Sequence, residues 1–156
     1  MGGIGLRILK AWLPALLWMT FIFLMSATPG DLSGEQSGLI VRMILAVHGF
    51  FFGGAQLSPD TLTLLHTLVR KAAHMTEYAV LACLYLRALR MHGIRHPHLL
   101  AIALCALYAA SDELHQAFVP GRGPSPVDVM IDTAGACIGL TCLRIARRIT
   151  RRKTTT

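Results

Sequence analysis

Between two stretches of nearly unbroken hydrocarbon side chains, residues 111–139 hold Asp112, Glu113, His115, Gln116, Arg122, Asp128 and Asp132. Carboxyl groups beside an imidazole can pass protons to and from a reacting group. An arginine can grip a phosphate or carboxylate with two N–H groups at once. A second polar set, Arg70, Lys71, His74, Glu77 and Tyr78, stands upstream. Ionisable groups in or beside a bilayer are costly unless they face protein, water or a partner, so these two sets mark where function is to be sought.

The elements that must position them follow from composition. With 54% hydrophobic and 15% charged residues in a chain of 156, and a mean hydropathy of +0.55, the sequence is too apolar for a soluble domain and reads as a small integral membrane protein. Windows at about 8–26, 72–89, 99–119 and 127–145 are long enough to cross a hydrocarbon core, which predicts an all-α, polytopic bundle of four transmembrane helices. Eleven of the fifteen Lys and Arg flank these windows on one side, where no Asp or Glu occurs, and all eight acidic residues lie toward the other. The positive-inside rule therefore predicts cytoplasmic N- and C-termini and an outward-facing polar site. The same basic clusters are read as topology signals with some attraction to anionic lipid, and nucleic acid is not expected as a partner. The apolar run from Ala11 is read as a span, not a cleaved leader, because Met25 is a poor residue three before a cut at Ala27.

The region between the first two spans is organised. Thr28-Pro29-Gly30 should end the first helix, and residues 39–52 carry apolar side chains at Leu39, Met43, Val47 and Phe50, which fits a helix lying in the outer interface or re-entering the membrane. Gly53-Gly54 should break it. Ser58-Pro59-Asp60 should start another helix that runs on into the second span. Residues 1–149 form one domain, and 150–156 are expected to be a disordered basic tail. The four cysteines make no CxxC pair and read as packing residues.

Placed by depth, His74, Glu77 and Tyr78 fall in the first turns of the second span, and Asp112, Glu113, His115 and Gln116 in the last turns of the third. Asp128 and Asp132 fall in the first turns of the fourth. If these helices pack together, all three groups meet near the outer leaflet. Gly135-xxx-Gly139 favours such packing, and contact within the chain is preferred over dimerisation. Phe118 to Pro124 imposes a rigid turn that aims Arg122.

At Arg70-Lys71-Ala72-Ala73-His74-Met75-Thr76-Glu77-Tyr78, and again at Glu113-x-x-Gln116-x-Phe118-x-Pro120-Gly121-Arg122 followed by Asp128, Asp132 and Gly135, the chain resembles the VanZ-like family of bacterial membrane proteins. Trp18, Ser26 and Pro29-Gly30 extend the resemblance over most of the chain. Position 132 is Asp where one common version has Asn. The resemblance implies a protein of the bacterial cytoplasmic membrane, with teicoplanin resistance attached to some members, and it supplies no established reaction.

Three uses of the constellation are open. In an enzyme acting on a lipid head group or a lipid-linked cell-wall precursor, Arg122, Lys71 and Arg70 would hold the anion, with Gln116 and Tyr78 beside it. Glu113 or Glu77 would then work with His74 or His115 as acid and base, and Asp128 and Asp132 would orient them or bind a cation. In a receptor or transporter the same groups would bind an amphiphile without turnover. In a purely structural protein Lys71 would pair with Glu77 and Arg122 with Asp128, although residues 112–132 hold four acids and one arginine. A divalent cation at His74-x-x-Glu77 or Asp112-x-x-His115 ranks below these, and no cofactor is assigned. His92, His96 and His98 read as solvated loop residues.

Overall fold

The computed structural model describes the backbone of residues 2–53 and 57–153; the side chains of 2–4, 30–37, 52 and 153 lie outside the description. Among the described residues it is all-helical: α1 (Gly2–Ser26), α2 (Gly30–Phe52), α3 (Pro59–Met91), α4 (Pro97–Gln116) and α5 (Pro126–Lys153).

The helix boundaries have local causes. α1 ends just before Pro29, and α2 ends at Gly53, whose φ of +75° is the left-handed closure that glycine adopts without strain. Ser58 caps α3 by accepting a hydrogen bond from the Thr61 N–H at 3.3 Å, with Pro59 in the first turn. As expected, α3 then continues unbroken for 33 residues into the second apolar window. Two expectations need correction. The helix expected over residues 39–52 starts earlier, at Gly30, because nothing between Gly30 and Leu39 breaks it. The basic tail is helical through Lys153, the remainder (154–156) lying outside the described residues; Arg and Lys are good helix formers and simply prolong α5.

α3 is the hub and packs against every other helix, most extensively against α5. Among the described residues α2 contacts α3 alone, and it exposes Leu39, Met43, Val47, Phe50 and Phe51. Small residues let the helices approach: Ala11 and Ala15 in α1, and Ala101, Cys105 and Ala109 in α4, are all buried. Around these sit Ile22, Leu81, Tyr85, Leu86 and Leu140. The cysteines are free thiols, Cys105 within this core.

Leucines and isoleucines cover the outside of α1, α4 and α5, as expected where the surrounding solvent is hydrocarbon. The chain is a membrane protein. Two helices, over Gly5–Ser26 and Pro126–Arg152, are by length and composition apolar enough to cross a bilayer. α3 and α4 fall short of that measure because each carries its polar set at one end.

Candidate functional site

The polar sets do converge. Arg70, Lys71 and His74 from α3, Glu113 and Gln116 from α4, Arg122 from the following turn, and Asp128 and Asp132 from α5 line one cavity of about 130 Å³.

Helix packing and a turn bring them there. Gly135 and Gly139 of α5 lie against the α3 backbone at Met75 and Ala79, so that a Cβ on either would overlap backbone atoms at 2.4 to 2.8 Å. This close approach within the chain places the first turns of α5 beside Lys71 and His74. The α4–α5 connection closes at residues 119–122, where the Arg122 N–H donates to the Val119 carbonyl at 3.1 Å and Gly121 has φ +74°. Proline at the second position and a left-handed glycine at the third are the signature of a type II turn. Glu113 fastens the connection from the other side: its Oε2 accepts from the Ser125 N–H at 2.8 Å, immediately before α5.

Charges in the cavity are unevenly satisfied. Lys71 and Asp128 form an ion pair, each about one-third exposed. Among the described residues Arg122 forms none, and its Nε is buried without a hydrogen-bond partner. Burial, then repulsion from Arg70, lowers its pKa from the usual arginine value, while Asp112, Glu113 and Glu77 oppose the shift. An arginine so placed remains a cation. Asp132 is buried in the cavity wall. His74 Nδ1 stands 3.3 Å from Glu77 Oε2, a charge contact if the imidazole is protonated, but too poorly aligned to be a hydrogen bond.

The expected structural pairings are thus not the ones formed. Lys71 takes Asp128 instead of Glu77, six residues along its own helix and on another face, and Arg122 is left without a carboxylate. Other expected residues stand back from the cavity. Tyr78 is fully buried in the core, its hydroxyl without a partner, and its ring centroid 6.2 Å from that of Tyr108. Glu77 lies beside His74 and does not line the cavity; its backbone carbonyl accepts from Trp18 Nε1 at 2.9 Å. His115 stacks on Phe23 of α1 at 4.3 Å and also lies outside the lining. Among the described residues no group of three or more His, Cys, Asp or Glu is arranged to hold a metal ion.

Asp112 stands behind the cavity and does not line it. It is buried, and its Oδ2 accepts from Ser26 Oγ at 2.7 Å and from Gln116 Nε2 at 3.1 Å, while Oδ1 has no partner. This network ties the last residue of α1 to α4 and positions Gln116, which lines the cavity. The available signal was Ser26, a polar residue at the apolar end of a span.

The sequence profile of the VanZ/LLP1 family matches residues 11–147, a span that includes every cavity residue. No curated protein and no solved structure matches the chain.

Proposed function

We propose that this chain, which belongs to the VanZ/LLP1 family, binds the phosphate of a lipid head group or of a lipid-linked cell-envelope precursor at the outer leaflet of the bacterial inner membrane. In this reading α1, α3, α4 and α5 span the bilayer, α2 lies along its outer face, and both termini are cytoplasmic by the positive-inside rule.

One observation carries the reading: Arg122 sits in the cavity wall, held by a rigid turn, with its guanidinium unpaired and Nε buried. An unpartnered buried donor costs stability, and an incoming anion removes that cost. Arg70 adds positive charge, and Gln116 offers its amide. The N-terminus of α5, with its positive dipole end, lies at the same cavity. Sequestering such a ligand, or a lipid-bearing glycopeptide such as teicoplanin, connects this reading to the resistance associated with some family members.

A hydrolytic version is favoured by His74 and Glu113, which line the cavity together with Arg122, so that acid, base and anion holder share one space. His74 would act as base or acid toward the bound head group, with Asp132 and Asp128 steadying its charge.

The test is titration of the full-length protein in neutral detergent with a polyprenyl phosphate, a lipid-linked precursor and teicoplanin, alongside product analysis. Arg122→Gln should weaken phosphate binding by about tenfold or more, and Arg122→Lys by less, because lysine keeps the charge but loses the fork. Equal binding by the parent and Arg122→Gln would refute the site. Turnover lost in His74→Gln with binding kept would establish the enzyme.

A further inference from the structure

A second cavity, of about 710 Å³, opens at the opposite end of α3 and α5. Arg90, at this cavity, lies nineteen positions beyond Lys71 on α3, so the two ends lie roughly 28 Å apart along the helix. Its floor is apolar, made by Leu86 of α3 and by Leu140 and Leu143 of α5. Its rim is cationic: Arg90 of α3 faces Arg144, Arg147, Arg148 and Arg151 of α5, with His98 at the start of α4. Arg90 reaches His98, Nη2 to Nε2, at 3.2 Å.

The α5 residues form a single stripe. Leu140, Arg144, Arg147, Arg148 and Arg151 recur at three- and four-residue steps, so one helix face passes from hydrocarbon to guanidinium within two turns. No Asp or Glu occurs anywhere in residues 78–111 or 133–156, so Arg90, Arg144, Arg147 and Arg148 meet no side-chain carboxylate from these segments. The cavity also lies where α5, one of the two helices apolar enough to cross a bilayer, runs out into its basic end. In the orientation proposed above, on which this inference rests, that is the level of the inner-leaflet phosphates.

We infer that this cavity is a binding site for an anionic phospholipid of the inner leaflet, its phosphate among Arg90, Arg147 and Arg148 and its acyl chain along Leu86, Leu140 and Leu143. Basic pockets between helices on the cytoplasmic side bind anionic head groups in this way. Charge complementarity selects the head group. The apolar floor selects a lipid over a soluble phosphate or a nucleic acid, neither of which has a use for it.

Fluorescent phosphatidylglycerol is titrated into the full chain in neutral detergent, in the Arg122→Gln background so that only this cavity is read, with phosphatidylcholine as the uncharged comparison. Phosphatidylglycerol should bind about tenfold more tightly, and removing two guanidinium groups in R147Q/R148Q should weaken it by about tenfold or more. R7Q/R95Q removes the same charge away from the cavity and should change affinity by less than about twofold. Arg90→Gln alters the opposite wall singly and should also weaken binding, which covers the case of R147Q/R148Q failing to fold. Equal losses in R147Q/R148Q and R7Q/R95Q, no preference for phosphatidylglycerol, or displacement by inorganic phosphate or a short oligonucleotide at the lipid's own concentration would each overturn the proposal.

Discussion

Gly135 of α5 rests directly on the backbone of Met75 in α3: a Cβ at position 135 would stand 2.4 Å from the Met75 carbonyl oxygen. Backbone cannot rotate away as a side chain can, so the two helices would have to separate. Gly135→Ala should therefore destabilise the protein by about 1–3 kcal/mol, although alanine is the better helix former. Gly38→Ala in α2, where a Cβ meets open space, should be neutral or stabilising by up to about 1 kcal/mol. Melting temperatures in detergent compare the two. A Gly135→Ala protein as stable as the parent would mean that α3 and α5 are not packed this closely.

Ser26 and Asp112 join the end of α1 to α4 through a buried 2.7 Å hydrogen bond. Ser26→Ala leaves the carboxylate with Gln116 alone and should cost about 1 kcal/mol, the usual scale for such bonds in helical membrane proteins. In a double-mutant cycle Ser26→Ala and Asp112→Asn should be non-additive. Ser26→Ala and Trp18→Phe, whose indole bonds elsewhere, should add within about 0.5 kcal/mol. Additivity in the first pair would remove Asp112 from the network.

The contrast between these residues explains how much could be read in advance. Ser58-Pro59, Gly53, the Pro120-Gly121-Arg122 turn and Gly135-xxx-Gly139 act through their immediate neighbours, and each does what its local chemistry suggests. The convergence of Lys71, His74, Glu113, Gln116, Arg122, Asp128 and Asp132 was also legible, because charge in a hydrocarbon helix has few places to go. Asp112 was not. Asp112 and Glu113 are adjacent and point about 100° apart on α4, and which one meets α1 and which meets the α5 turn depends on how the helix is rotated. Periodicity cannot supply that rotation when both residues are acidic. The same ambiguity hid the turning of His115 onto Phe23 and of Lys71 toward Asp128. For α2, an amphipathic spacing was visible, but its start at Gly30 was not, since residues 30–38 carry no clear helical stripe.

Because Lys71 pairs with Asp128 at the cavity wall, with both side chains about one-third exposed, the pair itself should add little to stability, on the order of 1 kcal/mol or less. Its effect on binding should be larger. Asp128→Asn frees the ammonium group and removes an acid from the anion's surroundings, so phosphate affinity should rise by about three- to tenfold at low salt and by less at high salt. Lys71→Gln should move affinity the other way. Titrations at two ionic strengths check both. A loss of affinity in Asp128→Asn would mean that the carboxylate contacts the ligand itself.

Gly121, at φ +74°, holds the turn that presents Arg122, and any residue with a Cβ pays about 1–2 kcal/mol to stay in that conformation. Val119 anchors the turn in the core but Pro120 and Gly121 are exposed, so Gly121→Ala can relax by shifting the backbone at these two positions at small cost to overall stability. That shift re-aims Arg122. We expect Gly121→Ala to lower phosphate affinity by about tenfold, as other misplacements of a positioned guanidinium would, while its melting temperature stays near that of the parent. Gly123→Ala is the matched comparison: Gly123 also edges the cavity but has no left-handed φ, and a Cβ there meets nothing within 4 Å. It should leave both quantities unchanged. If Gly121→Ala binds phosphate as the parent does, the direction of Arg122 is not set by this turn, and the case for a preformed anion site built on it fails.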